Sequence, residues 1–325
     1  MHVIGGVIMT VGLVYNPNAT GFDRAVLNRA CMTFTRYGSV KIYQSKYPGN
    51  TIELVKKANE ECDYIVTMGG DGTMGEAYLA LGEVNQKAYY SHISIGTAND
   101  TADNLGLYKG RQMSSIDLFK NADNLKEIDA DMILAGSVPF AYVSCCGTFT
   151  NLTYETPKSF KQNFGKLGYY MFTGMMGLTT VPDIIHKPLK LDYEKDSEKV
   201  TTDAMTMIVS NSKTFAGFKL FKEAKINDGI FEVTIIKTPP KAKLLPFLYK
   251  LFKDDGKKMN LSNYSKYIDS FKTDNFKVTF LSGDPKLGFN HDGDHAFVPL
   301  NDDNSLEYKV GKKVKMLLPK RTKTK

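Results

Sequence analysis

The residues best suited to chemistry form a short glycine-rich segment, Gly69–Thr73, directly after the apolar run Tyr64–Met68. Its three glycines let backbone N–H groups approach a polyphosphate closely and form an anion-binding nest. Asp71 supplies a carboxylate, an oxygen ligand of the kind that Mg²⁺ prefers, and Thr73 can hydrogen-bond a phosphate. The segment lacks the Gly-Lys-Ser/Thr ending of a Walker A loop. It therefore predicts a phosphate site of another kind, with an ordinary tight turn as the alternative.

Two further polar loops follow apolar runs in the same manner. Gly96–Asp100 follows His92–Ile95, and Asn16–Gly21 follows Val11–Tyr15. Taken alone, the first would be a helix N-cap and the second an ordinary turn. Ligands bind at the carboxyl ends of the strands in open α/β sheets, so three such loops in succession predict one nucleotide site.

The elements around these loops alternate between strand and helix. Apolar stripes at helical spacing follow Asp23 and Asn50, another helix is predicted from Met74 to Leu81, and Val40–Gln44 is a short strand. This order predicts an α/β domain with a parallel sheet over residues 1–130. Beyond it, strand-like runs predict a mainly antiparallel β-domain with inserted helices over residues 131–310. Those runs are Met132–Leu134, Phe140–Cys145, Leu189–Tyr193, Ala204–Ser210, Phe231–Ile236 and Phe276–Leu281, and the predicted helices are Tyr169–Leu178 and Lys243–Phe252.

One acid pair in the second domain could act as a base. Asp292 and Asp294 flank a glycine in a predicted loop, and a carboxylate within reach of an acceptor hydroxyl can accept its proton. The alternative is an Asp-Gly turn between two strands. His291 and His295 flank the pair, and because no helix is predicted there, we expect both histidines to be exposed to solvent.

The excess positive charge lies at the C-terminus. The net charge of the 325-residue chain is +7, and Gly311–Lys325 holds six Lys, one Arg and no acid. We interpret residues 311–325 as a basic tail. It is either a solvated terminus or a segment that is attracted to an anionic membrane. The sequence has no run of about 20 apolar residues, so no membrane-spanning helix is predicted. Four cysteines without CxxC spacing indicate reduced thiols and a cytoplasmic protein.

The three loops, in this order, resemble the catalytic domain shared by diacylglycerol kinases, sphingosine kinases and bacterial soluble lipid kinases; NAD kinases share the first motif. The likeness continues over roughly residues 10–300 through these segments: Ser45–Asn50, Lys126–Asp129, Asn151–Pro157, Gly168–Tyr170, Ser210–Asn211, Phe215–Gly217, Asn227–Phe231 and Asp292–Asp294.

The resemblance implies an ATP- and Mg²⁺-dependent kinase of lipid metabolism and phospholipid biosynthesis, acting on a lipid hydroxyl such as that of diacylglycerol. Either Asp292 or Asp294 would be the catalytic base, and Asp71 would be catalytic as well. The implied metal ligands are Asp71, Asp100 and Asp129 at a catalytic site, and Asp228 with the backbone carbonyls of Lys225 and Ile230 at a structural site. The implied ATP contacts are Asn16, Thr20, Ser45, Gly69, Gly70, Asp71, Gly72, Thr73, Gly75, Glu76, Thr97, Asn99 and Asp100.

The chain departs from the family pattern at several positions. Phe22 stands where the family usually has Lys or Arg, Thr101 and Asp103 replace an aromatic residue and a cation, and Asp294 replaces Glu. A kinase of a soluble nucleotide, similar to NAD kinases, and a non-catalytic nucleotide- or lipid-binding relative remain open alternatives. The implied partners are a membrane lipid and an anionic membrane surface, contacted peripherally, without nucleic acid; a homodimer is allowed.

Overall fold

The structure is a computed structural model, and it describes residues 9–96, 99, 101–102, 105–107, 116–120, 125–147, 189–213, 221, 223–244, 246–247, 266–282, 288–292 and 294–320. Two compact units divide the chain. One contains Met1–Met132 and Lys312–Lys325, and the other contains Ile133–Gly311. The basic C-terminal segment therefore belongs to the N-terminal unit.

The N-terminal unit is built on a parallel sheet of four strands. Their order is β2 (Gly38–Gln44), β1 (Met9–Tyr15), β3 (Tyr64–Gly69) and β4 (Tyr89–Ser94). Its central strands are almost wholly buried and apolar, as expected of strands covered by helices on both faces. The expectation of a parallel α/β domain is confirmed.

Three helices connect and cover these strands: α1 (Arg24–Phe34), α2 (Asn50–Glu61) and α3 (Asp71–Glu83). The Asp23 carboxylate caps α1 by accepting the N–H of Ala25 at 2.8 Å. The third helix begins three residues earlier than predicted. Its first turn thus contains Asp71 and Thr73, which the sequence analysis had placed in a loop, and an acid in the first turn is favoured by the helix dipole.

The C-terminal unit is mainly antiparallel, as predicted. Its longest fully contained strand, β9 (Glu198–Ser210), pairs with three others. The hairpin between β8 (Leu189–Lys195) and β9 turns at Asp196 and Ser197, both with positive φ. Every run predicted as a strand overlaps an observed one. Phe140–Cys145 is divided between two strands, and β11, β13, β14 and β15 were not predicted. The strands from the domain junction onward are β5 (Leu125–Ala135), β6 (Val138–Phe140), β7 (Val143–Gly147), β8 (Leu189–Lys195), β9 (Glu198–Ser210), β10 (Phe231–Lys237), β11 (Ile268–Thr273), β12 (Asn275–Ser282), β13 (Phe289–His291), β14 (Asp294–Ala296) and β15 (Ser305–Pro319).

Both helices predicted in this unit lie largely beyond the described residues. Tyr169–Leu178 falls outside them altogether. Of the second predicted helix, Lys243–Phe252, the described part is helical at residues 243–244 and 246–247, and the helical stretch starts slightly earlier, at residue 241.

The structure corrects the interpretation of the basic segment as a tail. Up to Pro319 it is the second half of β15, and Met316 pairs in parallel with Tyr90 of β4. Val314, Met316 and Leu318 are buried and alternate with the exposed Lys313 and Lys315 and the half-buried Leu317, so the segment has the period-two pattern of a half-buried strand. The high lysine content concealed that alternation. Among the described residues, no helix is long and apolar enough to cross a membrane.

Candidate active site

The three polar loops meet at the carboxyl edge of the parallel sheet. The backbone N–H of Asn16 donates to the carbonyl of Met68 at 3.0 Å, and Gly21 donates to Ile95 at 2.8 Å. Ile95 in turn donates to Gly69 at 2.8 Å. These main-chain bonds join the loops after β1, β3 and β4 into one continuous rim.

Two glycines in this rim are required because the loops touch. A Cβ atom on Gly96 would lie 2.5 Å from the Cα of Gly70, and one on Gly70 would lie 3.3 Å from the Cα of Gly96. A Cβ on Gly69 would meet the Thr73 hydroxyl at 2.2 Å. Besides the close approach of phosphate that their sequence predicts, these glycines let one loop pack directly against another.

Asp71 connects the first two motifs. Its Oδ1 accepts the backbone N–H of Thr101 at 3.1 Å, and the side chain remains partly exposed in the first turn of α3. Backbone donors at the start of a helix and a carboxylate beside them can hold a phosphate and its metal ion. Thr97 and Asp100 lie outside the described residues.

Asn99 shapes the second loop from within. It is buried in the left-handed region (φ 55°), where Asn is tolerated better than most residues. Its Oδ1 accepts the N–H of Gly96 at 2.9 Å, and its Nδ2 donates to the carbonyl of Gly96 at 2.7 Å. The amide thus holds the turn closed around Gly96.

The loop after β2 is attached to the same rim. The N–H of Ser45 donates to the carbonyl of Tyr15 at 2.9 Å, and its hydroxyl is buried near the carbonyl of Tyr47 at 3.4 Å. Glu76 accepts the N–H of Gly49 at 2.9 Å, so α3 supports this loop from below. The remaining expected nucleotide contacts lie on the rim or in α3, namely Asn16 (partly exposed), Thr20 (exposed), Gly72 and Gly75.

The described residues do not bring the expected catalytic metal ligands together. Asp71 lies at the carboxyl edge of the parallel sheet, whereas Asp129 lies exposed in β5, near Tyr89 at the amino end of β4. A hydrogen bond from the Tyr89 hydroxyl to Glu127 is the main cause that raises the pKa of Tyr89 to about 12, and the charge of Asp129 adds to it. Over the part of the chain that the structure describes, no group of three or more His, Cys, Asp or Glu residues could hold a metal ion. The donor chemistry of Asp71 and Asp129 nevertheless suits Mg²⁺, which prefers carboxylate oxygens.

In the C-terminal unit, the acid pair occupies a tight hairpin. His291 pairs with Asp294 across β13 and β14, which leaves Asp292 in the turn at φ 55°. The Asp292 carboxylate is buried and accepts three backbone N–H groups from a distant segment. Its donors are Ala141 at 2.6 Å, Tyr142 at 2.8 Å and Val143 at 3.1 Å. Asp292 therefore anchors the start of β7.

The prediction that His291 is exposed was wrong. The imidazole is only 7% exposed and packs between Phe140 and Phe289, with ring centroids at 5.2 and 6.2 Å. Burial lowers the pKa of His291 to about 3, and neither ring nitrogen has a hydrogen-bond partner among the described residues. His295 is exposed, as predicted.

An acid that sequence reasoning missed lies near the residues of the expected structural cation site. Asp228 is exposed and lies in the segment between Lys225 and Ile230. Gly229 follows it with φ 76°. Glu232 lies nearby in β10 and is buried. Its burial raises its pKa to about 7; the ammonium of Lys272 at 3.6 Å lowers it, and the charge of Asp228 raises it. An acid within the apolar run Phe231–Ile236 was the signal that could have identified it.

Two family models match the chain and divide it much as the structure does. The diacylglycerol kinase catalytic domain matches residues 10–132, and the YegS C-terminal NAD kinase beta sandwich-like domain matches residues 159–293. Together they cover most of the chain.

Curated relatives and solved structures agree with these matches. A diacylglycerol kinase of Bacillus subtilis is 28% identical over 73% of this chain and 75% of its own length. One of Staphylococcus haemolyticus is 24% identical over 87% of this chain and 82% of its own. The crystal structure of a diacylglycerol kinase from Bacillus anthracis has the same fold, with a TM-score of 0.69 at 16% identity over 96% of this chain and 97% of that one. Residues 10–132 thus match the diacylglycerol kinase catalytic domain, and the chain is similar to diacylglycerol kinases in sequence and in fold.

Proposed function

We propose that this protein is an ATP- and Mg²⁺-dependent lipid kinase that transfers the γ-phosphate to a hydroxyl group of a membrane lipid such as diacylglycerol. The observation that carries the proposal is the hydrogen-bonded rim of three loops, with Asp71 in the first turn of α3. Phosphoryl transfer needs positioning and charge neutralisation more than covalent chemistry, and backbone donors at a helix start supply both for a polyphosphate.

The nucleotide would lie along this rim. Backbone N–H groups of the Gly69–Thr73 segment would bind phosphate oxygens, with Thr20, Ser45 and Thr97 as further contacts. Asp71 and Asp100 would hold Mg²⁺, whose charge offsets that of the transferred phosphoryl group. Asp228 and the carbonyls of Lys225 and Ile230 would hold a second, structural Mg²⁺.

Of the two candidate bases, we favour Asp294. Both carboxylate oxygens of Asp292 accept backbone N–H groups, so protonating Asp292 would disrupt the anchor of β7. In the proposed step, Asp294 accepts the proton of the lipid hydroxyl while that oxygen attacks the γ-phosphorus and ADP leaves with the bridging oxygen.

A peripheral membrane contact, made from the cytoplasmic side, would bring the enzyme to its substrate. Lys312, Lys313 and Lys315 are exposed along β15, and Lys320 follows them. Each basic residue near an anionic surface contributes about 1 kcal/mol at most, so several are needed together.

The test is phosphate transfer from labelled ATP to a panel of lipids in mixed micelles. The panel contains diacylglycerol, monoacylglycerol, ceramide, sphingosine and phosphatidylglycerol, and a parallel reaction contains NAD in place of lipid. We expect label in diacylglycerol or a related lipid, and none when Mg²⁺ is chelated.

The NAD reaction addresses a second candidate function. The C-terminal match is to a domain described as NAD kinase-like, which favours a kinase of soluble nucleotides as the alternative. Label in NAD and not in lipid would select that alternative. Absence of transfer to every acceptor would favour a non-catalytic relative.

The structural cation site has its own test. Mg²⁺ should raise the melting temperature of the wild-type protein, and Asp228→Ala should abolish that increase. Asp274→Ala, which changes an acid remote in sequence from the proposed ligands, is the control. If Asp228→Ala melts with an unchanged Mg²⁺ dependence, the cation binds elsewhere.

A further inference from the structure

Two aromatic rings stack at the carboxyl edge of the parallel sheet. Tyr15 is the last residue of β1 and Phe22 ends the loop that follows; their ring centroids are 5.5 Å apart and the planes differ by 11°. Both residues are partly exposed. Phe22 occupies the position where the lipid kinase family that this chain resembles usually has a cation. The chain therefore offers a neutral ring surface where a charge is expected.

The pair is held from both sides. The Tyr15 hydroxyl donates to Oε1 of Gln44 at 2.8 Å, and the carbonyl of Tyr15 accepts the N–H of Ser45. The N–H of Phe22 donates to Ala19 at 2.9 Å, immediately before the α1 cap. Hydrogen bonds thus hold the backbone on both sides of the stack. A ligand that binds there would have to order little of the surrounding loop.

Gln44 adds a polar group at the edge of the stack. Its side chain is exposed, and its Oε1 accepts a hydrogen bond from the Tyr15 hydroxyl. The Nε2 of the same amide carries two N–H donors beside the rings. A flat heterocycle with ring-nitrogen acceptors would satisfy both features, because it can stack on an aromatic face and accept from an amide.

We propose that the aromatic pair, Tyr15 and Phe22, is the platform on which the adenine ring of the nucleotide stacks, with Gln44 Nε2 donating to a ring nitrogen. This inference rests on the proposed ATP dependence and deepens it by naming the base-binding residues. Aromatic platforms bind bases through their π-faces, and parallel offset rings are a favoured geometry.

The chain contains no tryptophan, which allows a direct binding test. Phe22→Trp would place a single tryptophan in the stack. We expect ATP and ADP to quench its fluorescence saturably, and inorganic triphosphate, which has no base, to leave it unchanged. Equal quenching by ATP and triphosphate, or no quenching by either, would overturn the proposal.

A matched control exists at the opposite edge of the same sheet. Tyr64 and Tyr89 stack at the amino ends of β3 and β4, with centroids 5.8 Å apart and planes 25° apart. Tyr64→Trp therefore reports on a similar pair remote from the loops. Its fluorescence should not respond to ATP; an equal response there would mean that the signal is not base stacking and would overturn the proposal.

Kinetics separate base binding from catalysis. Phe22→Ala should raise KM for ATP about tenfold with little change in kcat, and Phe22→Tyr should retain the wild-type KM. Gln44→Ala should raise KM a few-fold. An unchanged KM in Phe22→Ala would overturn the platform even if the wild type phosphorylates lipid. If the wild type phosphorylates nothing, the proposed function fails, while base-dependent quenching would still support the platform.

Discussion

The two acid-bearing regions of this chain hold their carboxylates in opposite ways. In the N-terminal unit, Asp71 is partly exposed at the start of α3 and accepts a backbone N–H from Thr101. In the C-terminal unit, Asp292 is buried and accepts three backbone N–H groups. An exposed carboxylate can serve a ligand, whereas a buried one that saturates backbone donors serves the fold. Similar Asp-Gly motifs in one sequence thus differ in burial and in hydrogen bonding.

The two buried histidines also differ between the units, in their hydrogen bonding. In the N-terminal unit, His92 Nδ1 lies 2.7 Å from the hydroxyl of Thr67, which also contacts Tyr90. In the C-terminal unit, His291 lies between aromatic rings and has no hydrogen-bond partner among the described residues. Burial lowers the pKa of each to about 3, so both are neutral at pH 7.

The largest effect should come from Asp71. Asp71→Asn keeps the shape and an oxygen that can accept the N–H of Thr101, but it removes the charge. We expect turnover with ATP and diacylglycerol to fall about 1,000-fold, with an unchanged melting temperature. Glu83→Gln, at the exposed end of the same helix, is the control and should retain wild-type turnover. Wild-type turnover by Asp71→Asn at saturating Mg²⁺ would refute its role.

We expect the two acids of the β13–β14 hairpin to have different roles, Asp292 in stability and Asp294 in catalysis. Asp292→Ala leaves three backbone donors without their acceptor, so the free energy of unfolding should fall by about 3 kcal/mol. Asp294→Asn should lower turnover about 100-fold. Urea unfolding and initial rates measure the two effects. The reverse pattern would make Asp292 the base.

The histidines predict how stability depends on pH. The unfolded chain protonates them near pH 6.5 and the folded chain only near pH 3, so folding stability falls as the pH drops below about 6.5. His291→Leu should remove the contribution of His291 to this loss of stability, which is about 1.4 kcal/mol per pH unit at most. The variant should therefore melt at a higher temperature than wild type at pH 4.5.

The matched substitution tests the contrast between the two sites. His92→Leu removes a partner of Thr67, so it should cost about 1 kcal/mol at pH 8, where His291→Leu costs less. Melting temperatures at pH 4.5 and pH 8 measure both variants. An acid sensitivity of His291→Leu equal to that of wild type would contradict the assignment.

The smallest effect concerns the residues after β15. Deleting 320–325 removes four basic residues beyond the last strand, so the fold should be retained. Binding to anionic vesicles should weaken severalfold at low salt and little at physiological salt, where charges are screened beyond about 8 Å. Neutral vesicles are the control. Equal binding at low salt would leave these residues without a membrane role.

The N-terminal unit was largely predictable because its signals are local. Each strand is a short apolar run, and each loop contains glycine or asparagine directly after it. Even here the structure moved Asp71 and Thr73 from a loop into α3, because a helix start depends on hydrogen bonds that sequence spacing does not show. The C-terminal unit was predicted as a class, but four of its strands were missed.

The sequence by itself determined a parallel α/β unit with three glycine-rich or polar loops, a β-rich second unit, and the family resemblance, since periodicity and motif order are properties of neighbouring residues. Only the tertiary structure decided that the basic C-terminus is a strand, that Asp292 anchors a segment 150 residues away, that His291 is buried, and that Phe22 stacks on Tyr15. Each of these depends on contacts between residues that folding brings together, which local spacing does not encode.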